Sequence, residues 1–184
     1  MTSELVERAQ RGDHEAFDVL AGAAYHRLYA IAKRILRDGY AAEDAVQDAL
    51  VRAWRDLRGL RDRDRFDAWL HRLLINACKD QVRRDRRWSM DVDIATIAEP
   101  FVDDRLGQLV DRDELERAFL LLSIEQRAAL VLTHYMGLSA PEVGVILGVP
   151  PGTIHSRLHY GSRAMRAAIA HTDGLPITSP ELGR

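Results

Sequence analysis

The sequence predicts an all-α protein: two small helical domains joined by a flexible acidic linker, the C-terminal domain containing a helix-turn-helix. Apolar residues recur at steps of three and four in several segments, as in helices buried on one face, and no segment alternates as a strand would. The helical period fails from Trp88 to Val110, where acidic residues accumulate and Pro100 interrupts the chain. The predicted divisions are a first domain at 1–87, the linker at 88–110, a second domain at 111–171 and a tail at 172–184.

Three or four helices are expected in the first domain. The segment from Asp13 to Arg37 has one apolar face, Asp13 is able to cap its start, and Gly39 follows its end. The segment from Glu43 to Arg58 carries acids in its first turn and arginines in its last, which suits the helix dipole. A third helix is predicted from Phe66 to about Arg86, with Cys78 beside its apolar stripe as a packing residue.

A line of basic and polar residues lies opposite the apolar face of this third helix. Its members follow one another at helical spacing: Arg72, Asn76, Lys79, Arg83 and Arg86 or Arg87. A polar helix face is usually just solvated. Single-stranded DNA, however, is held by cationic grooves, stacking aromatic rings and pockets for unstacked bases, and Trp88 follows the line directly. From the residues alone, both interpretations stay open.

Capping-box spacing marks two helix starts in the second domain. Ser123 stands three residues before Gln126, and Ser139 stands three residues before Glu142. Another helix is predicted before them, at 111–122. The second domain is therefore expected to hold four helices, counting the one that follows the helix opened by Ser139.

The last two predicted helices have the layout of a helix-turn-helix. A short helix ends near Leu147, and after a turn containing Gly148 a longer helix begins near Pro151. Arg157 on this helix is a candidate for contacting guanine, and the helix start near Thr153 is a candidate for phosphate. The same layout is also found in an ordinary helical hairpin with a solvated face.

Charge is distributed unevenly along the chain. The formal net charge is −2, yet residues 52–87 hold 12 basic and 6 acidic residues, whereas 88–117 hold 9 acidic and 3 basic. The basic segment and the acidic segment are expected to have different functions. One cysteine, no signal-peptide pattern and no apolar stretch of membrane-spanning length indicate a cytoplasmic protein without membrane insertion, and no cofactor or metal is expected.

Three segments resemble the extracytoplasmic-function (ECF) sigma factors of the sigma-70 superfamily. The segment AEDAVQDALVRAWRDL, at 42–57, is similar to the family's polymerase-binding helix. The segment FDAWLHRLLINACKDQVRRDRR, at 66–87, is similar to its promoter-melting and minus-ten helix. The segment LSAPEVGVILGVPPGTIHSRLHYGSRAM, at 138–165, resembles the domain that contacts the minus-thirty-five element. The resemblance implies a sigma factor that binds core RNA polymerase, directs it to promoters and promotes melting.

The same resemblance implies roles for individual residues. The clamp coiled coil of the largest polymerase subunit would face Asp44, Gln47, Asp48 and Arg52. Minus-ten DNA would be contacted by the stripe Arg72, Asn76, Lys79, Arg83, Arg84 and Arg87, with Asn76 helping to hold a flipped base. The minus-thirty-five major groove would meet Thr153, His155, Ser156, Arg157, His159, Tyr160 and Arg163. The acidic linker would thread toward the active-centre and RNA-exit channels, and a separate anti-sigma protein would control the factor.

Some positions depart from the family pattern. Pro141, Gly144, His155, Tyr160 and Gly161 stand where the family more often has Glu, Ala, Lys or Arg, Arg, and Ala. Replacing basic residues by His155 and Tyr160 weakens attraction to phosphate and leaves the promoter sequence open. Asp80 also replaces a frequent polar residue beside the base pocket.

Two other classes of function compete with this interpretation. A dimeric helix-turn-helix repressor or activator would account for the C-terminal half only. An enzyme is opposed by the sequence, which lacks a phosphate-binding glycine loop with lysine, a paired-histidine zinc motif and a nucleophile elbow.

Overall fold

A computed structural model describes residues 2–91 and 109–172, and within them the side chains of residues 2–85 and 115–167. The predicted linker, apart from its two ends, and almost all of the predicted tail lie outside the described residues. The described part of the chain is helical, as predicted, and contains no strand. Its helices are α1 (Thr2–Gln10), α2 (His14–Leu36), α3 (Gly39–Asp56), α4 (Phe66–Asp91), α5 (Leu109–Leu120), α6 (Ile124–Leu130), α7 (Ala140–Leu147) and α8 (Pro151–Thr172).

The first domain is a bundle in which α3 lies between α2 and α4. Its centre is apolar and fully buried, formed by residues such as Leu28, Ile31, Val46 and Leu74. Helix α1 was not among the helices located from the sequence, and it adds Val6 and Ala9 to the core. Cys78 is buried in the same core, which confirms its packing role.

The connection between α2 and α3 is shorter than predicted, because α3 begins earlier. Gly39 follows the end of α2, as the sequence predicted, and the left-handed residue at that end is Arg37, with φ of 62°. Asp38 then caps the next helix, since its side chain accepts a hydrogen bond from the Ala41 N–H at 2.8 Å. Helix α3 therefore begins at Gly39, four residues before the predicted Glu43.

Helix α4 continues to Asp91, beyond the predicted end near Arg86. No glycine or proline occurs between Arg86 and Asp91, so nothing in the local sequence stops the helix. The segment assigned to the linker thus begins inside a helix.

The second domain has the predicted four helices and both predicted capping pairs. The Gln126 N–H donates to Ser123 Oγ at 3.2 Å, and the Ser123 N–H donates to Gln126 Oε1 at 2.9 Å. The Ser139 N–H donates to the Glu142 carboxylate at 2.8 Å. One irregular turn, a π-helical segment at Val131–Tyr135, extends α6 toward α7.

Helices α7 and α8 form the predicted helix-turn-helix. Gly148 ends α7 in the left-handed region, with φ of 68°, and α8 begins at Pro151. The turn passes so close to α7 that a Cβ added to Gly144 would lie 2.8 Å from the Val149 carbonyl oxygen. Gly144 stands where the family more often has alanine, and it lets the turn approach α7 more closely than alanine would.

The two domains contact each other through α2 and α4 on one side and α6, α7 and the π-helical turn on the other. Arg127 Nη1 donates to the Ile35 carbonyl at 3.3 Å, and the Arg34 guanidinium lies 3.6 Å from the centre of the Tyr135 ring. Arg37 and Glu116 form an ion pair across the same contact. In the described ranges, no helix is long and apolar enough to cross a membrane.

Candidate nucleic-acid interface

The basic stripe predicted on α4 is present on the surface of the first domain. Burial of Leu70, Leu74 and Ala77 fixes the rotation of α4 about its axis, so the opposite face points outward. Arg72, Asn76, Arg83 and Arg84 are exposed, and Lys79 is half-buried. The side chain of Arg87 lies outside the described residues. All six predicted minus-ten residues therefore lie on one helix, and the side chains of five of them are described.

Asp80 interrupts this stripe and links it to α3. Its carboxylate lies 2.8 Å from Arg52 Nη2 and 3.7 Å from Arg83 Nη1. A second link joins Arg84 Nη2 to Asp48 Oδ2 at 2.8 Å. These contacts among five charged side chains, here called the α3–α4 charge network, connect the two helices that the family resemblance assigns to different partners.

The predicted polymerase residues on α3 fall into two groups. Asp44 and Gln47 are exposed, whereas Asp48 and Arg52 are half-buried and belong to the α3–α4 charge network. The sequence reasoning missed Asp80 and Arg84 as partners of these two residues, because spacing within one helix cannot reveal pairing between two helices.

An apolar side chain, Val51, lies beside Asp44 and Gln47 and was not predicted from the sequence. Val51 is 67% exposed and follows Asp44 and Gln47 by seven and four residues, which puts all three on one face of α3. Tyr40, 86% exposed, extends this face by one turn. Exposed apolar residues at helical spacing beside polar ones are typical of protein contacts, and that signal was available in the sequence.

Most of the predicted minus-thirty-five residues lie on the outer face of α8. His155, Ser156, His159, Tyr160 and Arg163 are exposed, whereas Thr153 and Arg157 are half-buried. The Ser156 hydroxyl donates to the Gly152 carbonyl at 3.1 Å. Its oxygen can still accept a hydrogen bond from another molecule. The His159 and Tyr160 rings meet edge to face, with centroids 5.5 Å apart. On the other side, Ile154 and Gly161 are buried and hold α8 in place.

The second domain lies over part of the α4 stripe. Lys79 Nζ is 3.7 Å from Glu125 Oε1 on α6. Arg72 reaches the end of α7, where its Nη2 lies 3.4 Å from the position that a Cβ on Gly148 would occupy. Asn76, between these two residues on α4, remains exposed.

A cleft of about 470 Å³ opens at the contact between the domains. Its apolar wall is formed by Met136, Leu138 and Ile146, and the charged side chains around it are Arg27, Asp64, Arg65, Asp67 and Glu142. His71 lies at its base, and its Nε2 has no hydrogen-bond partner among the described residues. Burial, with the nearby Arg27 charge, lowers the pKa of His71 from 6.5 to about 4, so the imidazole is neutral at pH 7.

Two features bear on reactivity in the described ranges, the thiol of Cys78 and the arrangement of possible metal ligands. Burial raises the pKa of the Cys78 thiol to about 12, which disfavours the reactive thiolate. No group of three or more His, Cys, Asp or Glu side chains in the described ranges is placed to hold a metal ion. What the described surfaces provide is a basic stripe, a mixed polar and apolar face on α3, and the exposed face of a helix-turn-helix.

Two family models match the chain, one in each domain. The model described as Sigma-70 region 2 matches residues 20–88, which include most of α2, all of α3 and most of α4. The model described as Sigma-70, region 4 matches residues 112–165, from α5 into α8. Together the two matches take in more than half of the chain.

Curated relatives extend the similarity over most of the sequence. The RNA polymerase sigma-H factor of Pseudomonas aeruginosa is 33% identical over 180 residues, which cover 90% of this chain and 92% of the relative. The ECF RNA polymerase sigma factor SigM of Mycobacterium tuberculosis is 34% identical over 156 residues, which cover 84% of this chain and 78% of the relative.

Solved structures share the fold. The structure of CnrH in complex with the cytosolic domain of CnrY is similar with a TM-score of 0.67 and 24% identity, over 92% of this chain and 97% of that chain. The sigma factor RpoE of Bartonella quintana, in complex with the anti-sigma factor NepR, is similar with a TM-score of 0.67 and 27% identity, over 84% and 96% of the two chains.

Proposed function

This chain belongs to the extracytoplasmic-function sigma factors of the sigma-70 family, which act in transcription initiation, and from that premise we propose how its own residues do so. The chain binds core RNA polymerase through the exposed face of α3, contacts promoter DNA through α4 and α8, and leaves the chemistry to the polymerase. The observation that carries this proposal is the position of the basic α4 stripe next to the polar and apolar face of α3, with the exposed face of α8 in a second domain.

Polymerase docking is assigned to Asp44, Gln47 and Val51. They share one exposed face of α3, and Val51 supplies the apolar surface that usually contributes most to a protein contact. Asp48 and Arg52 join this contact from its edge, where the α3–α4 charge network holds them in the free chain.

The docking assignment is testable with matched variants. Val51→Ser is expected to weaken binding to core polymerase about tenfold, because loss of a buried apolar side chain costs roughly 1.5 kcal/mol or more. Val19→Ser is the control, since Val19 is 56% exposed on α2, a helix that carries none of the residues assigned to polymerase docking. Equal effects of the two variants on the dissociation constant, measured by fluorescence anisotropy, would remove Val51 from the interface.

Minus-ten recognition is assigned to Asn76 and the basic residues of the stripe. The amide of Asn76 is exposed and offers both donors and an acceptor to the edge of an unpaired base. Arg83 and Arg84, and Lys79 and Arg72 when the second domain has moved away, would neutralise the phosphates beside it. Arg87 is assigned to the same DNA contact, although its side chain lies outside the described residues.

Minus-thirty-five recognition is assigned to α8. The exposed His155, His159, Tyr160 and Arg163 supply contacts to base edges and phosphates in a major groove, and Ser156 supplies an acceptor. Thr153 lies at the start of α8, where backbone N–H groups bind phosphate. Arg157 is half-buried and must extend to reach a guanine.

Three further parts of the proposal follow from the family. An anti-sigma protein would bind the free factor, as NepR binds the Bartonella quintana sigma factor RpoE. The acidic linker would pass toward the polymerase active centre. A factor that acts at chromosomal promoters would be located in the cytoplasm.

The decisive experiment is single-round transcription by core polymerase on a pool of promoter fragments from the source genome. We expect initiation from a few fragments that share two sequence elements, and we expect Asn76→Ala to weaken it. Asp18→Ala is the matched control, because Asp18 is exposed on α2, a helix that carries none of the residues assigned to DNA. If the polymerase gained no new start sites and the free chain bound palindromic duplex DNA as a dimer, a stand-alone repressor or activator would replace this proposal.

A further inference from the structure

The cleft between the two domains contains a buried polar atom that the proposed function does not use. The cleft has a volume of about 470 Å³, and His71 lies at its base. His71 is only 5% exposed, and its Nε2 has no hydrogen-bond partner among the described residues. Buried polar atoms almost always have a partner, because an unpaired one is costly. The cleft is therefore a candidate site for a ligand that supplies this hydrogen bond.

The chemistry of His71 limits what the ligand can present to it. Burial, with the nearby Arg27 charge, lowers the pKa of His71 to about 4, so the imidazole is neutral at pH 7. In a neutral imidazole one nitrogen donates a hydrogen bond and the other accepts one. A hydroxyl group fits Nε2 in either tautomer, because a hydroxyl can both donate and accept.

The wall that the second domain contributes to the cleft is mainly apolar. It is lined by Met136, Leu138, Val145 and Ile146. Val145 is 51% exposed although it belongs to α7, so apolar surface remains open to water here. An apolar wall combined with a few placed polar groups is the usual composition of a small-molecule site. It favours a ligand with an apolar ring, whose burial removes both surfaces from water.

The charges around the cleft favour a cation. Arg27 Nη2 lies 2.5 Å from Asp67 Oδ1, so this guanidinium already has a carboxylate. Arg65 Nε likewise lies 3.0 Å from Asp62 Oδ2. Asp64 also lines the cleft, and its carboxylate has no ion-pair partner among the described residues. An ammonium group would therefore be attracted to Asp64, whereas an anion would have to displace an existing pair.

Asp64 and His71 are suitably spaced for a single ligand. They are seven residues apart, and α4 begins between them at Phe66. Seven residues correspond to about two helical turns and roughly 10 Å along the axis, with both positions on the same side. A benzene ring with a hydroxyl group at one end and a short aminoethyl chain at the other spans a similar length.

We propose that this cleft binds a small organic cation that has an apolar ring and a hydroxyl group. The ring packs against Met136 and Leu138, the hydroxyl pairs with His71 Nε2, and the ammonium group faces Asp64. Because both domains line the cleft, the bound ligand stabilises their contact. The site goes beyond the proposed function and does not depend on it.

Tyramine is the probe, since it combines a phenol ring, a hydroxyl group and an ammonium group. Its binding to the full-length chain is followed by NMR through the ring nitrogens of His71 and the methyl group of Met136. We expect saturable shifts of both signals, with a dissociation constant of about 1 mM or tighter for a ligand of this size.

Three analogues of tyramine isolate its groups. Phenethylamine lacks the hydroxyl and para-ethylphenol lacks the ammonium group, and each is expected to bind about threefold to fivefold more weakly than tyramine. Para-hydroxyphenylpropionate keeps the ring and hydroxyl but carries a negative charge, and it is expected to bind most weakly.

Two variants connect these differences to residues. Asp64→Asn is expected to weaken tyramine binding about threefold and to leave para-ethylphenol unchanged. Asp18→Asn is the matched control, because Asp18 is exposed on α2 and does not line the cleft. His71→Phe is expected to abolish the preference for tyramine over phenethylamine. Circular dichroism checks the helix content of each variant, and Asp64→Asn tests the site at an exposed position if His71→Phe does not fold.

Three results would contradict the proposal. If tyramine caused no saturable shift at His71 and Met136, the site would be overturned. Equal binding of tyramine and phenethylamine would remove the hydrogen bond to His71, and equal binding of tyramine and the anion would remove the preference for a cation. These titrations need neither polymerase nor DNA, so failure of the site is distinguishable from failure of the proposed function in the transcription assay.

Discussion

Gly144→Ala tests whether the turn of the helix-turn-helix depends on the absence of a side chain. The added Cβ would lie 2.8 Å from the Val149 carbonyl oxygen, and the next atoms are Pro151 N at 3.6 Å and Pro150 C at 3.8 Å. Carbon–oxygen contacts in proteins rest at about 3.3–3.6 Å. The obstacle is backbone and not a flexible side chain, so the turn itself must move by about half an ångström.

The magnitude follows from two opposing effects. Alanine favours a helix over glycine by about 1 kcal/mol. Forcing an extra carbon into a tight contact costs about 1–3 kcal/mol. The free energy of unfolding is therefore expected to fall by about 1 kcal/mol for Gly144→Ala. Gly22→Ala should raise it by up to about 1 kcal/mol, because Gly22 is within α2 with open space around it.

Urea denaturation followed by circular dichroism measures both variants, and hydrogen exchange locates the change. The Val149 N–H donates to the Gly144 carbonyl at 3.0 Å, so a displaced turn should lower the protection of this amide from exchange. If Gly144→Ala were as stable as Gly22→Ala and the Val149 amide kept its protection, the close approach would not constrain the turn.

Three further predictions concern single side chains. Because burial holds the pKa of His71 near 4, below its ordinary 6.5, the folded chain should lose stability as the pH falls from 6.5 toward 4, and His71→Gln should reduce that loss in thermal denaturation. Cys78, with its pKa raised to about 12, should resist a thiol reagent at pH 8 and react once urea unfolds the chain; rapid labelling of the folded chain would contradict its burial. Ser123→Ala should cost about 1 kcal/mol through loss of the α6 cap, whereas Ser162→Ala, within α8, should cost less.

Much of the fold could be predicted because local signals were strong. The pairs Ser123 with Gln126 and Ser139 with Glu142 marked helix starts, and the apolar spacing along α2, α3 and α4 identified the buried faces. The predicted start of α3 at Glu43 was wrong, because Asp38 caps the helix and the helix begins at Gly39. Helix propensity alone did not decide whether α3 begins at Gly39 or at Glu43.

The residues that lie on each surface could be predicted, but the ion pairs between helices and between domains could not. Helical spacing brought Asn76 and the stripe to one face, and it also brought Asp44 and Gln47 together. Pairing of Arg52 with Asp80 depends on how α3 packs against α4, and pairing of Lys79 with Glu125 depends on contact between domains. Such contacts between residues distant in sequence leave no periodic pattern in a single chain.

The α3–α4 charge network makes the two faces of the first domain difficult to alter independently. Neutralising Arg84 would leave Asp48 with one fewer cation, and neutralising Asp80 would release Arg52 and Arg83 together. If α4 and α3 have the roles proposed above, a substitution on α4 that changed the preferred promoter would also change the charges at the edge of the α3 face. Under the proposed function, promoter preference and polymerase affinity are therefore not independent properties of this chain, because the same five charged side chains join the two surfaces.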